Sequence, residues 1–377
     1  MSPHRQTTDL SQAKRIVIKI GSSLLVDESK GTIHRTWLAA MADDIAACRA
    51  RGQQVVIVSS GAVAVGRKHL GFDDGRTLRL EEKQAAAATG QLGLAHAYEE
   101  ELARHDLTVA QVLMTLDDSD NRRRYINARN TLETLLKLGA VPLINENDTV
   151  ATDEIRMGDN DRLGARVAAM TGADTLVLLS DVDGLYTADP GTDATATVVA
   201  EVHEITPEIE AMAGESRPGV GTGGMVTKLA AAKFATEAGS RMVIASGREL
   251  HPLRRIEDGA TATWFLPKET TRSARKHWIA GTLSPSGSIT VDAGALSALQ
   301  GGKSLLPAGV VAVEGNFQKG DAVTIKTPDG DEIGRGLMAY SADDARLLAG
   351  HKSSEIEALL GYRGGDEMIH RDDLVMS

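Results

Sequence analysis

The chain has 377 residues, 42% of them hydrophobic and 25% charged, an ordinary balance for a globular protein and enough length for two or three domains. Its 41 basic side chains face 52 acidic ones, and the net charge of −11 argues against non-specific nucleic-acid binding as the main role. No apolar run reaches the roughly 18 residues of a membrane span, and the opening MSPHRQTTDLSQAKR lacks the apolar core of a signal peptide. The lone cysteine, Cys48, has no partner for an internal disulfide and lies on the buried side of an amphipathic stretch, where core packing is its expected role. Together these features point to the cytoplasm and to no membrane association.

The first strand is RIVIKI (Arg15–Ile20), followed by a glycine turn and two hydroxyls in Lys19-Ile20-Gly21-Ser22-Ser23. A lysine at the carboxyl end of a strand can hold a phosphoryl group, with the turn supplying N–H donors; a solvated lysine is the plainer alternative. A helical pattern over Thr36–Arg51 leads to a second strand, Gln54–Ser60, which ends in Ser59-Ser60-Gly61-Ala62. Glycine there lets a ligand approach the backbone at a helix N-terminus, or simply makes the strand-to-helix turn. The alternation continues through a helix over Glu81–His105, a strand over Thr108–Met114 and a helix over Tyr125–Leu138.

The fourth strand, Ala140–Glu146, runs into Asn145-Glu146-Asn147-Asp148, and Gly158-Asp159-Asn160-Asp161 follows shortly afterwards. Such side chains can hold the ammonium of an amino acid or orient Mg²⁺ through its waters, although a helix cap accounts for Asp159 or Asp161 taken singly. After a helix over Asp161–Thr171, the fifth strand, Asp174–Ser180, ends in SDVDGLYTADP, a loop that could fold over a purine with Tyr186 as a wall, or form a plain hairpin. Pro218–Leu229, PGVGTGGMVTKL, then runs four glycines into a lysine at the start of a helix over Met225–Ala238, which is a place for phosphate. Gly219, Gly221 and Gly224 formally satisfy the dinucleotide pattern, but AGESRPGV before them does not read as a strand, and no Gly-Lys-Ser/Thr closes a Walker A frame. Arg241–Ser246 is the last strand of this series.

Strands apolar on both faces, alternating with helices, predict an open, mostly parallel α/β sheet sandwiched by helices, with ligands at the carboxyl ends of the strands. Composition changes after Phe265. The expected organisation is a catalytic domain over 1–265, a polar and basic linker over 266–285, a small β-rich domain over 286–364 and a tail over 365–377. Lysine, glycine and acidic loops at the strand ends of one sheet form a phosphoryl-transfer inventory, with no zinc-ligand spacing.

KIGSS, IVSSGA, INENDTV, GDND, SDVDGLYTADP and GTGGMVTK, in that order, resemble the amino acid kinase family, and within it the glutamate 5-kinases of proline biosynthesis. SITVDAGA, SLLPAGV, GNFQKGD and AGHKSSEIEALLGY resemble a PUA domain. The resemblance implies ATP as co-substrate with Mg²⁺, no metal ligands from the protein, and Lys19, Lys228 and Asp161 as the catalytic set, Asp161 organising the two lysines. Ser60, Gly61 and Ala62 are expected to line the glutamate and phosphoryl site, and Asp148 and Asn160 to bind glutamate. Lys19, Ser180, Asp181, Thr222, Gly223, Gly224, Met225, Val226, Thr227 and Lys228 are expected to hold ATP. Two mild departures are Val226, where some relatives have a small polar residue, and Ser180, which stands for a threonine.

The resemblance further implies a dimer or tetramer, transient contact with glutamyl phosphate reductase, and feedback inhibition by proline near Tyr125–Arg129, although Arg122–Arg124 read equally well as a solvated face. Rival readings are a kinase of the same fold acting on aspartate, N-acetylglutamate, carbamate or UMP, and an RNA-binding protein acting through the PUA domain. The acidic loops favour an acceptor that carries an ammonium. Between Ser286 and Arg363 seven basic side chains meet ten acidic ones, a poor footing for RNA.

Overall fold

The computed structural model describes residues 8–27, 29–73, 76–151, 159–214, 224–271, 273–274 and 285–376. By its contacts the chain forms two units, one of residues 1–120 and 128–271, the other of 121–127 and 272–377.

The first unit is built on β1 (Arg15–Ile20), β2 (Gln54–Ser59), β3 (Val109–Met114), β4 (Val141–Glu146), β5 (Thr175–Ser180), β6 (Glu201–Val202), β7 (Arg241–Ser246) and β8 (Ala262–Phe265), ordered β3-β4-β2-β1-β5-β7-β8-β6. The six strands from β3 to β7 across the sheet are mutually parallel, as the doubly apolar runs predict. The sequence reading did not include β6 and β8. Strands of two and four residues are too short to show a period, and β8 runs antiparallel to β7.

Side chains alternate across a strand, and this alternation places the chemistry. Ile16, Ile18 and Ile20 of β1 join Ile57, Leu143, Val177 and Val243 in one apolar cluster, with Trp37, Met41 and Ile45 of α1 (Arg35–Ala50). Lys19 therefore faces the opposite side of the sheet. There α5 (Asp159–Thr171) crosses close by, and a Cβ added at Gly164 would lie 3.4 Å from that of Lys19. The Cys48 thiol, buried on α1, is pushed up to about 11 by desolvation, which fits a packing role and a poor nucleophile.

Two further helices of this unit touch backbone to backbone. In α2 (Ala62–His69), a Cβ at Gly66 would lie 1.7 Å from the Ala86 carbonyl oxygen of α3 (Leu80–Ala103). In return, a Cβ at Gly90 would lie 1.9 Å from the carbonyl oxygen of Ala62. Only hydrogen fits at either position.

The second unit carries a five-stranded sheet of β9 (Gly287–Val291), β10 (Val310–Gly315), β11 (Ala322–Lys326), β12 (Glu332–Leu337) and β13 (Leu374–Met376), ordered β10-β9-β11-β12-β13. Ile289, Phe317, Ile325, Tyr340 and Ile369 help fill its core. Residues 374–376, read from composition as part of a tail, pair with β12 as an edge strand. Three residues are again too few to show a pattern. The first residues of α4 (Arg122–Lys137) belong to this unit: Ile126 packs with Ala322 and Leu337, and Arg122 lies 3.4 Å from Asp321. No described helix is long and apolar enough to cross a membrane.

The glycine contact between α2 and α3 yields a paired test. Gly90→Ala should destabilise the chain by about 3 kcal/mol through overpacking against a carbonyl that cannot move aside. Gly93→Ala, whose new methyl would find only Val65 Cγ1 at 3.9 Å, should be neutral or stabilising by up to about 1 kcal/mol. Urea unfolding of the two variants against the parent chain measures both effects.

Candidate active site

Three elements converge at the carboxyl edge of the first sheet. β1 supplies Lys19, the N-terminal turn of α5 supplies Asn160 and Asp161, and the first turn of α6 (Met225–Glu237) supplies Thr227 and Lys228. Lys19 Nζ lies 2.6 Å from Asp161 Oδ1, while Lys228 Nζ lies 3.4 Å from Oδ2. The Thr227 hydroxyl donates to Oδ2 at 3.1 Å. All three charged groups are buried, with Lys19 at 7%, Lys228 at 5% and Asp161 at 1% exposure.

Burial by itself would push the Asp161 carboxyl up. The ammonium groups of Lys19 and Lys228 outweigh it, and the carboxyl is held below its ordinary value. Two ammoniums converge on one carboxylate in a dry setting, which places cationic groups side by side at the sheet edge. That is a suitable surface for a polyanion.

Beside it runs a row of amides. Asn160 Nδ2 donates to the Ser59 carbonyl at 2.8 Å, the Ser60 hydroxyl at 2.8 Å and Asn145 Oδ1 at 3.1 Å. Asn145 Oδ1 also accepts from the Glu146 backbone N–H at 2.9 Å, and Asn145 Nδ2 donates to Gln91 Oε1 at 2.6 Å. Gly61 follows in the left-handed region at φ 102°, where α2 begins with Ala62, and a Cβ there would also lie 2.8 Å from Val26 Cγ2. The bare start of α2 thus stands next to Ser60. Asp148 is buried just beyond β4.

Of the residues singled out from sequence, Lys19, Asp161, Thr227 and Lys228 form one bonded cluster, and Ser60 is tied to Asn160. Gly224 precedes α6 and accepts from the Thr227 hydroxyl through its carbonyl at 2.9 Å; Met225 and Val226 follow it in the first turn. Ser180 closes β5 and donates to Asp181 at 2.9 Å. In the loop beyond, the Tyr186 hydroxyl donates to Asp183 at 3.2 Å, and Tyr186 forms a single antiparallel bridge with Val198. Thr222 and Gly223, with the rest of 215–223, lie outside the described residues, as do 152–158. Two members of the amide row were not picked out as ligand residues. Asn145 stood inside a quoted loop, whereas Gln91 sits mid-helix with no motif to mark it.

The amino acid kinase family model matches residues 14–246, and the PUA domain model matches 287–360. Curated relatives cover nearly the whole chain. A glutamate 5-kinase from Paramagnetospirillum magneticum is 64% identical over 97% of this chain and 99% of its own length. Another from Rhodospirillum rubrum is 59% identical over 96% of each, and one from Gluconobacter oxydans is 57% identical over 97% of each. Among solved structures, a UMP kinase from Bacillus anthracis aligns with 68% of this chain and 98% of its own at 16% identity and a TM-score of 0.46, a likeness too slight to bear on function.

Removing the shared carboxylate tests the cluster. Asp161→Asn removes the one carboxylate that both buried ammoniums touch and should cost about 3–5 kcal/mol in urea unfolding. The pH dependence of the parent follows from the depressed carboxyl. Its stabilisation is fully present above the unfolded carboxylate value near about pH 4, declines below it, and is lost as pH falls through the lower folded value. The difference in stability between parent and variant should therefore be flat from about pH 5 to 7 and shrink in stronger acid.

Proposed function

This chain belongs to the amino acid kinase family, and on that premise we propose that it transfers the γ-phosphoryl group of ATP to the side-chain carboxylate of L-glutamate, giving L-glutamyl 5-phosphate, the first step of proline biosynthesis. The observation that carries the reading is the pair of lysines meeting on Asp161, at the edge of the sheet where open α/β folds bind ligands. The names of the full-length relatives support the choice of acceptor.

The acceptor carboxylate has an ordinary pKa of about 4.3 and arrives ionised, so the reaction needs no general base. The difficulty is bringing that anion to another, the γ-phosphate, and neutralising charge that spreads over the phosphoryl oxygens. Positioning and fixed positive charge meet that need. Lys19 and Lys228 flank the transferred group, and Asp161 holds both ammoniums in place before substrate binds. Ser60, Gly61 and Ala62 receive the acceptor end at the start of α2; Asn160 and Asp148 hold the amino acid. Ser180, Asp181 and the run Thr222 to Lys228 hold the nucleotide.

On this reading the nucleotide enters as its magnesium complex, and the ion would be held by phosphate oxygens and water. The acyl phosphate product is labile, which fits prompt handover to a reductase, and the use of ATP fits a cytoplasmic enzyme.

Glutamate with MgATP should yield an acyl phosphate trapped by hydroxylamine, with aspartate giving little or none; a preference for aspartate would sink the assignment. Lys19→Ala and Lys228→Ala should each lower kcat by about 10³-fold, since one cation at a phosphoryl group in other enzymes is worth that much or more. Folding of both is checked by circular dichroism. Proline should inhibit, and saturating glutamate should relieve the inhibition. Inhibition that glutamate cannot relieve would place proline elsewhere.

A further inference from the structure

The amide row ends in a group that phosphoryl transfer leaves unexplained. Gln91, 8% exposed in the middle of α3, accepts from Asn145 through Oε1, while its Nε2 is buried with no acceptor among the described residues. A buried donor without a partner carries its full desolvation cost, so its retention asks for a reason.

The reason lies in the direction of the row. A backbone carbonyl only accepts, so the Asn160 atom 2.8 Å from Ser59 O is the NH₂ group. A backbone N–H only donates, so the Asn145 atom 2.9 Å from Glu146 N is the oxygen. That oxygen also takes the Asn160 hydrogen bond at 3.1 Å, which leaves the Asn145 NH₂ facing Gln91 at 2.6 Å. Gln91 must then present Oε1; turned over, it would set NH₂ against NH₂. Its unpaired nitrogen is the consequence of this enforced polarity.

At the other end, no described residue donates to Asn160 Oδ1, and Asn160 is half-buried at the edge of the sheet. The row thus commits all of the Asn160 NH₂ inward and leaves an acceptor uncommitted. We propose that Gln91 is a positioning residue for the substrate amino group: by accepting from Asn145 it fixes the direction of the row, so that Asn160 offers an oxygen to the α-ammonium of the acceptor. This rests on the reading of Asn160 as a glutamate contact.

Helix packing keeps Gln91 in register. Gly90, its neighbour, lets α3 approach the Ala62 carbonyl at the start of α2, where Ser60 and Gly61 stand. Without the Gln91 acceptor, the buried Asn145 NH₂ is unpaired. Rotating the Asn145 amide to relieve it would turn that NH₂ toward the NH₂ of Asn160.

The test compares Gln91→Met, which keeps bulk and removes the acceptor, with Gln91→Glu, which keeps an acceptor. Wild-type hydroxamate formation from glutamate is measured first; its absence sinks the functional reading and this inference with it. Given wild-type turnover, Gln91→Met should raise the KM for glutamate about tenfold, in keeping with a buried hydrogen bond lost on one side. Its kcat and its KM for ATP should stay within about threefold, because the lysine cluster is untouched. Gln91→Glu should restore the KM for glutamate to within about threefold of wild type. An unchanged KM in folded Gln91→Met, or equal defects in both variants, would overturn the inference while leaving the function intact. Should Gln91→Met not fold, Gln91→Asn, one methylene too short to reach Asn145, carries the same prediction.

Discussion

The Asp161 carboxylate holds two ammonium groups that come from the first strand of the unit and from one of its last helices, and much of the surrounding architecture serves to keep that contact charged and dry. A buried ion pair is a weak source of net stability, because desolvation consumes most of the Coulombic gain. Its value here is positional. Lys19 reaches the carboxylate because alternation along β1 turns it away from the isoleucine face, and Gly164 lets α5 pass close above it. Lys228 reaches it from the first turn of α6. Because Asp161 is held ionised, both lysines are ordered without a substrate present, which removes part of the reorganisation that charge development would otherwise require.

The amide row beside the cluster is organised by hydrogen-bond direction. Asn160 is locked through its nitrogen to Ser59, Ser60 and Asn145, so its orientation is settled before any ligand arrives. Glycine supports this indirectly. The mutual approach of Gly66 and Gly90 places α3 against α2, and Gly61 supplies the left-handed turn that opens α2 beside Ser60. Under the proposed function, positioned cations on one side and a directed acceptor on the other suit a reaction between two anions, one of which carries an ammonium. The second unit has its own five-stranded sheet and core.

The large elements were legible because their signals are local. Runs such as RIVIKI and QVVIVS are apolar on both faces, and their observed ends differ from the expected ones by a residue or less. The KIGSS, SSGA and NEND loops were legible as phosphoryl-transfer chemistry for the same reason, since each lies at a strand end, whereas GDND and GTGGMVTK were legible as polar or glycine-rich turns that open helices. The short strands β6, β8 and β13 escaped notice because two to four residues hold too little pattern to distinguish from a loop.

Residue type and order along the chain determined the α/β alternation, the position of the crevice and the identity of Lys19, Asp161 and Lys228 as candidates. The family resemblance implied that Asp161 organises both lysines; tertiary structure decided that they meet on opposite oxygens of its carboxylate. It alone brought Gln91 into line with Asn145 and Asn160. The physical reason is that a strand's period or a glycine turn is written in neighbouring residues. The direction of a hydrogen-bond row, by contrast, depends on which atoms from a helix, a strand end and another helix's first turn come within 3 Å or so of one another, and only packing sets that.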